Sequence, residues 1–328
     1  MNKLIIDADT GSDDAVALLM AYRKYPIENI LGVTLVSGNV PLDQAVLNTI
    51  YVNELCEVDI PIYKGADKPL NRNYIEVFDS ETATKIALSY SNESTSAQHV
   101  HGVDGLGDIG LSPKNKKIET QTADDFYSEI LEKESNLDIV TLGPLTNIAK
   151  MIENNKDNLD SIKNIFIMGG SSNALGNVTK FAEYNFWVDP EAADIVLNAG
   201  IPTTMIGWDP SLYDAMIDID KINEIASIDT KFSKFTNDIQ VTLREMMKEL
   251  LGQDAYDLPD PLAMSVFLDE SIVSQSADAN VRVDTRDGMT RGGCIIDYMN
   301  IEPDTHKTRI VQRCHPDKFF ELLKSSLI

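Results

Sequence analysis

The sequence has few of the residues that build disulfide frameworks or thiolate metal sites. Its 3 cysteines, Cys56, Cys294 and Cys314, are odd in number, far apart and form no C-x-x-C pair. That excludes a disulfide scaffold or a zinc ribbon. Basic residues are scarce too: Lys+Arg 28 against Asp+Glu 52 leaves a net charge of −24. So acidic a chain is unsuited to a nucleic-acid backbone or an anionic membrane, though not to a small nucleoside. No apolar run is long enough to cross a bilayer, and the stretch before Asp7 is too short for a signal peptide, so a cytoplasmic protein is expected. Internal repeats and Pro- or Ser-rich linkers are missing, and residues 1–328 read as one domain. The nearest thing to a flexible loop is "LSYSNESTSAQ" at 88–98.

What is present is an alternation of short apolar runs with helix-like segments. "LII", "ILGVTLVSG", "IPIYKG", "LDIVTLG", "NIFIMGG" and "IPTTMIGW" have strand character and mostly end in Gly or a polar turn residue. Helical spacing fills the intervals at 13–24, 41–56, 123–134, 144–153 and 190–199. The alternation predicts an α/β fold, an open, mostly parallel, Rossmann-like sheet with helices on both faces. A mainly helical region is expected at about 221–270, then strands in "ANVRVDT", "GGCIIDYM" and "KTRIVQRC", and a closing helix from about 316. Ligands of open α/β sheets gather at the carboxyl ends of the strands. Those ends are Asp7 to Asp14, Ser37 to Asn39, Leu142 to Pro144, Met168 to Gly170 and Gly207 to Asp209.

The first of these, "DADTGSDD" at 7–14, crowds four aspartates together. Two like charges about 4 Å apart repel by about 4 kcal/mol at an effective dielectric of about 20. Asp13 or Ser12 could cap the next helix, which accounts for one or two of the carboxylates. Asp7 and Asp9 end a strand expected to be buried, and period 2 puts them on one face, so a cation or a raised pKa is needed there. An EF-hand register starting at Asp7 fails, because it puts Gly11, Ser12 and Leu18 at positions 5, 6 and 12. A haloacid-dehalogenase-type phosphatase would use D-x-D, but it leaves Asp13 and Asp14 unexplained.

The whole stretch resembles the D-x-D-x-G-x-D-D signature of the inosine-uridine-preferring nucleoside hydrolase family. Further matching motifs follow in family order: "SGN" (37–39), "HGVDGLGD" (101–108), "LGPLTNIA" (142–149), "IMGG" (167–170), "GNVT" (176–179), "AEYNFWVDPEAA" (182–193) and "DPLAM" (260–264). The resemblance implies hydrolysis of a ribonucleoside to ribose and free base, a role in nucleoside salvage, and one Ca²⁺ at the floor of the pocket. The implied calcium ligands are Asp9, Asp14, the Leu142 carbonyl and Asp260, all oxygen donors. Asp9 would also be the general base that activates water. Asp13 would hold the ribose 2′-hydroxyl, and Asn39, Asn177, Glu183 and Asn185 the 3′- and 5′-hydroxyls. Met168, His101 and Trp208 complete the expected substrate contacts, and Asp7 would support the loop. The expected partners are a small ribonucleoside and further copies of the chain, as a dimer or tetramer, with no nucleic acid and no membrane.

One position breaks the family pattern. Many members carry a proton-donating His just before the Asp of "DPLA", where this chain has Pro259. Tyr256, Asp254, Asp257 and His101 are candidate substitutes, or stacking on Trp208 could make a purine easier to expel. A purine or a modified purine, such as the 7-deazapurine of queuosine, is therefore the expected base. The competing reading is a catalytically silent protein of the same fold that binds ribose and calcium.

Overall fold

The computed structural model describes residues 2–71, 97–302 and 305–328. The expected flexible loop at 88–98 falls, as far as residue 96, outside the described residues. The first half alternates as expected: β1 (Lys3–Ala8), α1 (Ser12–Lys24), β2 (Ile30–Leu35), α2 (Leu42–Cys56), β3 (Ile62–Lys64), α3 (Gln98–His101) and α4 (Ala123–Lys133). Next come β4 (Leu137–Thr141), α5 (Thr146–Asn154), β5 (Ile162–Met168), α6 (Tyr184–Val188), α7 (Pro190–Leu197) and β6 (Thr203–Ile206). The helical region holds α8 (Trp208–Asp214), β7 (Met216–Ile217), α9 (Ile219–Ser227), α10 (Lys231–Asp238), α11 (Val241–Leu251), β8 (Tyr256–Asp257) and α12 (Pro259–Leu268). The chain then runs through β9 (Val273–Val283), β10 (Cys294–Asp297), β11 (Thr308–Cys314) and α13 (Pro316–Ser326).

Among the described residues one nine-stranded sheet has the order β10-β9-β11-β6-β5-β4-β1-β2-β3. From β3 to β11 every neighbouring pair is parallel, while β9 and β10 add an antiparallel edge. The chain winds outward from β1 through β2 and β3, then returns to the other side of β1 with β4. The carboxyl ends of β1 and β4 therefore flank the topological switch point, where such sheets open a crevice. That places "DADTGSDD" beside "LGP" of residues 142–144.

Period 2 sorts the strand side chains between two cores. Leu4 and Ile6 join Leu18 of α1, Leu262 of α12 and Leu323 of α13 on one face. Ile5 joins Tyr127 of α4, Ile148 of α5 and Val196 of α7 on the other. Fully burying each such aliphatic side chain contributes about 1.5–3 kcal/mol, so β1 is anchored from both sides. Helix α1 is buried from Ser12 to Tyr22 and packs against α12. Its first turn carries Asp13 and Asp14 and its last turn Arg23 and Lys24, the charge order that suits a helix dipole. Among the described residues no helix is long and apolar enough to cross a membrane.

Candidate active site

The loop after β1 is folded around the Asp14 carboxylate. Asp14 Oδ1 accepts from the Asp9 backbone N–H at 3.2 Å, and Oδ2 accepts from the Gly11 N–H at 2.8 Å and from Asn39 Nδ2 at 3.0 Å. The same Asn39, at the end of the β2 loop, donates its backbone N–H to Asp9 Oδ2 at 2.6 Å. Two aspartates are thus fixed by one asparagine from a neighbouring strand. Asp260 enters from the start of α12, which packs on α1.

Asp9 and Asp14 are fully buried, Asp260 is 2% exposed and Asp13 8%. Carboxylate oxygens of Asp13, Asp14 and Asp260 lie within 4.8 Å of one another. Asp9 is outside that group of three, though its carboxyl adjoins that of Asp14. Burial, then the neighbouring negative charges, push Asp9, Asp13 and Asp260 well above the usual carboxylate range. Asp9 Oδ1, Asp13 Oδ1 and Asp260 Oδ2 are buried with no hydrogen-bond partner. Buried carboxylates in this state must be protonated or must share a cation. An all-oxygen donor set suits a hard cation.

Asp9 is also closely walled. A Cβ on Gly38 would lie 2.0 Å from Asp9 Oδ2, and one on Gly143 2.6 Å from Asp9 Oδ1. Both contacts are impossibly short, so glycine at these two positions lets backbone close over the carboxylate. Gly143→Ala is therefore expected to displace Asp9 and, with Asp9 as the base that the resemblance implies, to cut turnover at least about a hundredfold. Full activity in that variant, with unchanged circular dichroism, would show that Asp9 does not need this wall.

Asp7 stands apart from the cluster. Its Oδ2 accepts from Thr34 Oγ1 at 2.5 Å and Asn147 Nδ2 at 2.8 Å, and burial raises its pKa to about 7. Its backbone carbonyl accepts the Leu142 N–H at 2.8 Å, tying the β1 and β4 ends together.

The opposite wall comes from β4, β5 and α6. The Leu142 carbonyl accepts from Asn185 Nδ2 at 2.7 Å and keeps one lone pair. Asn185 Nδ2 also reaches the Met168 carbonyl at 3.2 Å and its Sδ at 3.3 Å. Glu183 caps α6, accepting from the backbone N–H groups of Asn185 and Phe186, and holds the Gly170 N–H at 2.8 Å. Burial lifts its pKa to about 7. Asn177 Oδ1 is buried without a partner.

His101 is buried, although a histidine in a Gly-rich loop is ordinarily exposed. Its Nδ1 accepts from the Ser12 N–H at 3.2 Å, lies 2.9 Å from Ser12 Oγ and 3.7 Å from Asp13 Oδ1. Burial lowers its pKa to about 3, so it is neutral with the proton on Nε2. Trp208 begins α8, half-buried, and its Nε1 donates to Asp257 Oδ2 at 3.0 Å.

Gln240 escapes sequence reading, and Asp209 is marked there only as part of a strand-end segment. Gln240 is fully buried at the α10–α11 junction, and its amide clamps Ser12 through Oε1 to Oγ and Nε2 to the carbonyl, both 3.1 Å. Asp209, 2% exposed, accepts from the Ser172 N–H at 2.7 Å and from the Ser172 hydroxyl, which pins the loop after β5. Its place directly after β6 was the available signal for Asp209; Gln240, inside a periodic helical stretch, had none.

Known proteins are similar to this chain over nearly its full length. The sequence profile of the inosine-uridine preferring nucleoside hydrolase matches residues 4–321. Uridine nucleosidase 1 of Arabidopsis thaliana is 33% identical over 90% of this chain and 82% of its own length. The inosine-uridine preferring nucleoside hydrolase of Crithidia fasciculata is 28% identical over 99% of this chain and 97% of its own. Among solved structures, a purine-preferring ribonucleoside hydrolase from Gardnerella vaginalis superposes with a TM-score of 0.84 at 28% identity, over 99% of this chain and 98% of that one. By that match, this chain belongs to the inosine-uridine preferring nucleoside hydrolase family.

Proposed function

We propose that this chain, acting as one domain, hydrolyses the N-glycosidic bond of a purine or modified-purine ribonucleoside in a Ca²⁺-dependent reaction. The observation that carries the reading is the set of orphaned oxygens on Asp9, Asp13 and Asp260 at the switch point of the sheet. Asp9, Asp14, Asp260 and the Leu142 carbonyl would hold the calcium. When bound, that ion supplies positive charge that orients the ribose diol and the attacking water.

The protein's own residues do the rest. Asp9 accepts the proton of the water that attacks C1′, as general base. Asp13, at the rim of the cluster, accepts a hydrogen bond from the ribose 2′-hydroxyl. Asn39 and Asn177 serve the remaining hydroxyls, Asn177 through its free Oδ1. Glu183 and Asn185 already hold backbone groups, so they reach a hydroxyl through their remaining lone pairs. Positive charge that develops on the sugar as the C1′–N bond breaks is stabilised by these fixed carboxylates.

Names among the relatives divide between uridine and purine substrates, so family membership leaves the base open. Trp208 favours a purine, because larger ring systems gain more from aromatic contact. The test is kcat/KM for inosine, guanosine, adenosine, uridine, cytidine and queuosine, with wild type and Trp208→Ala. A purine-type nucleoside should be preferred, and Trp208→Ala should cost it about tenfold, the scale of one base–aromatic stack. Uridine as best substrate, with the Trp208 change harmless, rejects the purine reading. No release of base from any of them favours instead a silent protein that binds ribose and calcium.

A further inference from the structure

Pro259 stands where a proton donor would be expected, and proline has no proton to give. Four side chains are candidate substitutes, and their surroundings separate them. Asp254 is committed to cations: Arg244 holds both its oxygens, at 2.9 and 3.0 Å, and Lys248 adds a third contact at 2.9 Å. These pairs keep it ionised, with its pKa lowered to about 2. Tyr256 is fully buried in the apolar core, and its hydroxyl has no hydrogen-bond partner. His101 is turned toward Ser12, with Nδ1 spent on the Ser12 N–H.

Asp257 is different. It ends β8, three positions before Asp260, and only 9% of it is exposed. Two groups converge on one of its oxygens: Trp208 Nε1 donates to Oδ2 at 3.0 Å, and Ser211 Oγ lies 2.8 Å from Oδ2 and 2.8 Å from the Trp208 carbonyl. The one hydrogen of Ser211 serves either the Trp208 carbonyl or Oδ2, so the indole N–H is the fixed donor that orients this carboxyl. Burial favours the protonated form, and Asp257 lies close enough to Asp13 for its charge to disturb that residue. The indole thus orients the carboxyl with its edge.

The geometry points to the Asp257 carboxyl as the proton donor to the departing base, with Trp208 and Ser211 as the residues that orient it. This rests on the nucleoside-hydrolase reading above. In the step, the C1′–N bond breaks and its electron pair goes to the base. The Asp257 O–H bond breaks as an N–H bond forms on a ring nitrogen of that base. The water oxygen bonds to C1′ and its proton passes to Asp9. Asp257 ends as a carboxylate and Asp9 as an acid, and exchange with solvent restores both.

The test compares two leaving groups. A nucleoside base leaves poorly without protonation, whereas p-nitrophenolate leaves as a stable anion and needs no acid. Asp257→Asn keeps an acceptor for Trp208 and Ser211 but removes the acidic proton. It is expected to lose about a hundredfold in kcat/KM on the best nucleoside, the lower range of general-acid effects, and less than about threefold on p-nitrophenyl β-D-ribofuranoside. If the Asn variant does not fold, Asp257→Ser is read in the same way. Equal losses on both substrates would mean that Asp257 only supports the structure, and no loss on the nucleoside would remove it from the reaction. Wild-type protein that cleaves neither substrate would instead overturn the glycosidase reading itself.

Discussion

Replacing Asp9 by alanine is expected to lower turnover at least about a thousandfold without unfolding the protein. General-base catalysis alone contributes about 10²–10⁴-fold, and correct positioning adds to it. The side chain is fully buried, oriented by the Asn39 N–H, and enclosed by backbone at Gly38 and Gly143. Loss of one negative charge also relieves the repulsion with Asp14, so the thermal midpoint should not fall in the absence of metal. Asp13→Ala should be severe as well, through lost grip on the ribose. Single-turnover rates with circular dichroism check this, and near-normal activity in the Asp9 variant would contradict its role as base.

Removing calcium is expected to have the second largest effect. Without a cation, Asp13, Asp14 and Asp260 face one another within 4.8 Å, with their charges buried. A ligand that binds only the folded state at about 100 times its Kd stabilises by about 2.7 kcal/mol. For a chain of this size that corresponds to a thermal shift of about 4 °C. Chelation with EGTA should therefore lower the midpoint by that amount and abolish base release, and added Ca²⁺ should restore both. Elemental analysis of active protein should find one calcium per chain. Zinc, or activity that survives exhaustive chelation, would contradict the assignment.

The parts of the fold that were legible are those where burial writes a pattern. The apolar runs of β1, β2, β4, β5 and β6 each stop at a polar or glycine turn, and period 2 correctly divides Leu4 and Ile6 from Ile5. Strand β9 was only half visible. "ANVRVDT" marks its inward-facing end, but the strand begins at Val273, and Ser274 to Ser276 face solvent. Backbone pairing with β11 holds those residues, and pairing leaves no trace in side-chain hydropathy. The two-residue strands β7 and β8 are too short to show any period.

The site divides along a similar line. Acidic crowding at residues 7–14 was conspicuous because its cost is local and large. Long-range contacts were not. His101 meets Ser12 across 89 positions and Gln240 meets it across 228, so neither link could be read from spacing. Asp7 shares its face of β1 with Ile5, and its carboxylate is engaged by Thr34 and Asn147; period 2 could not say that Asp9, just beyond the strand end, would turn to the cluster instead. Among the candidate acids, sequence gave Asp254 and Asp257 equal standing. Arg244 and Lys248 on α11 separate them, since they neutralise one and leave the other with an indole and a hydroxyl.

The most direct measurement is chromatographic identification of products when purified protein, with Ca²⁺, is incubated with a panel of ribonucleosides, alongside EGTA-treated and Asp9→Ala samples. The expected result is free base and ribose in equal amounts from at least one nucleoside, with none from either control. Intact nucleosides throughout, or base release that is indifferent to EGTA and to Asp9→Ala, would contradict a calcium-dependent ribonucleoside hydrolase built on these aspartates.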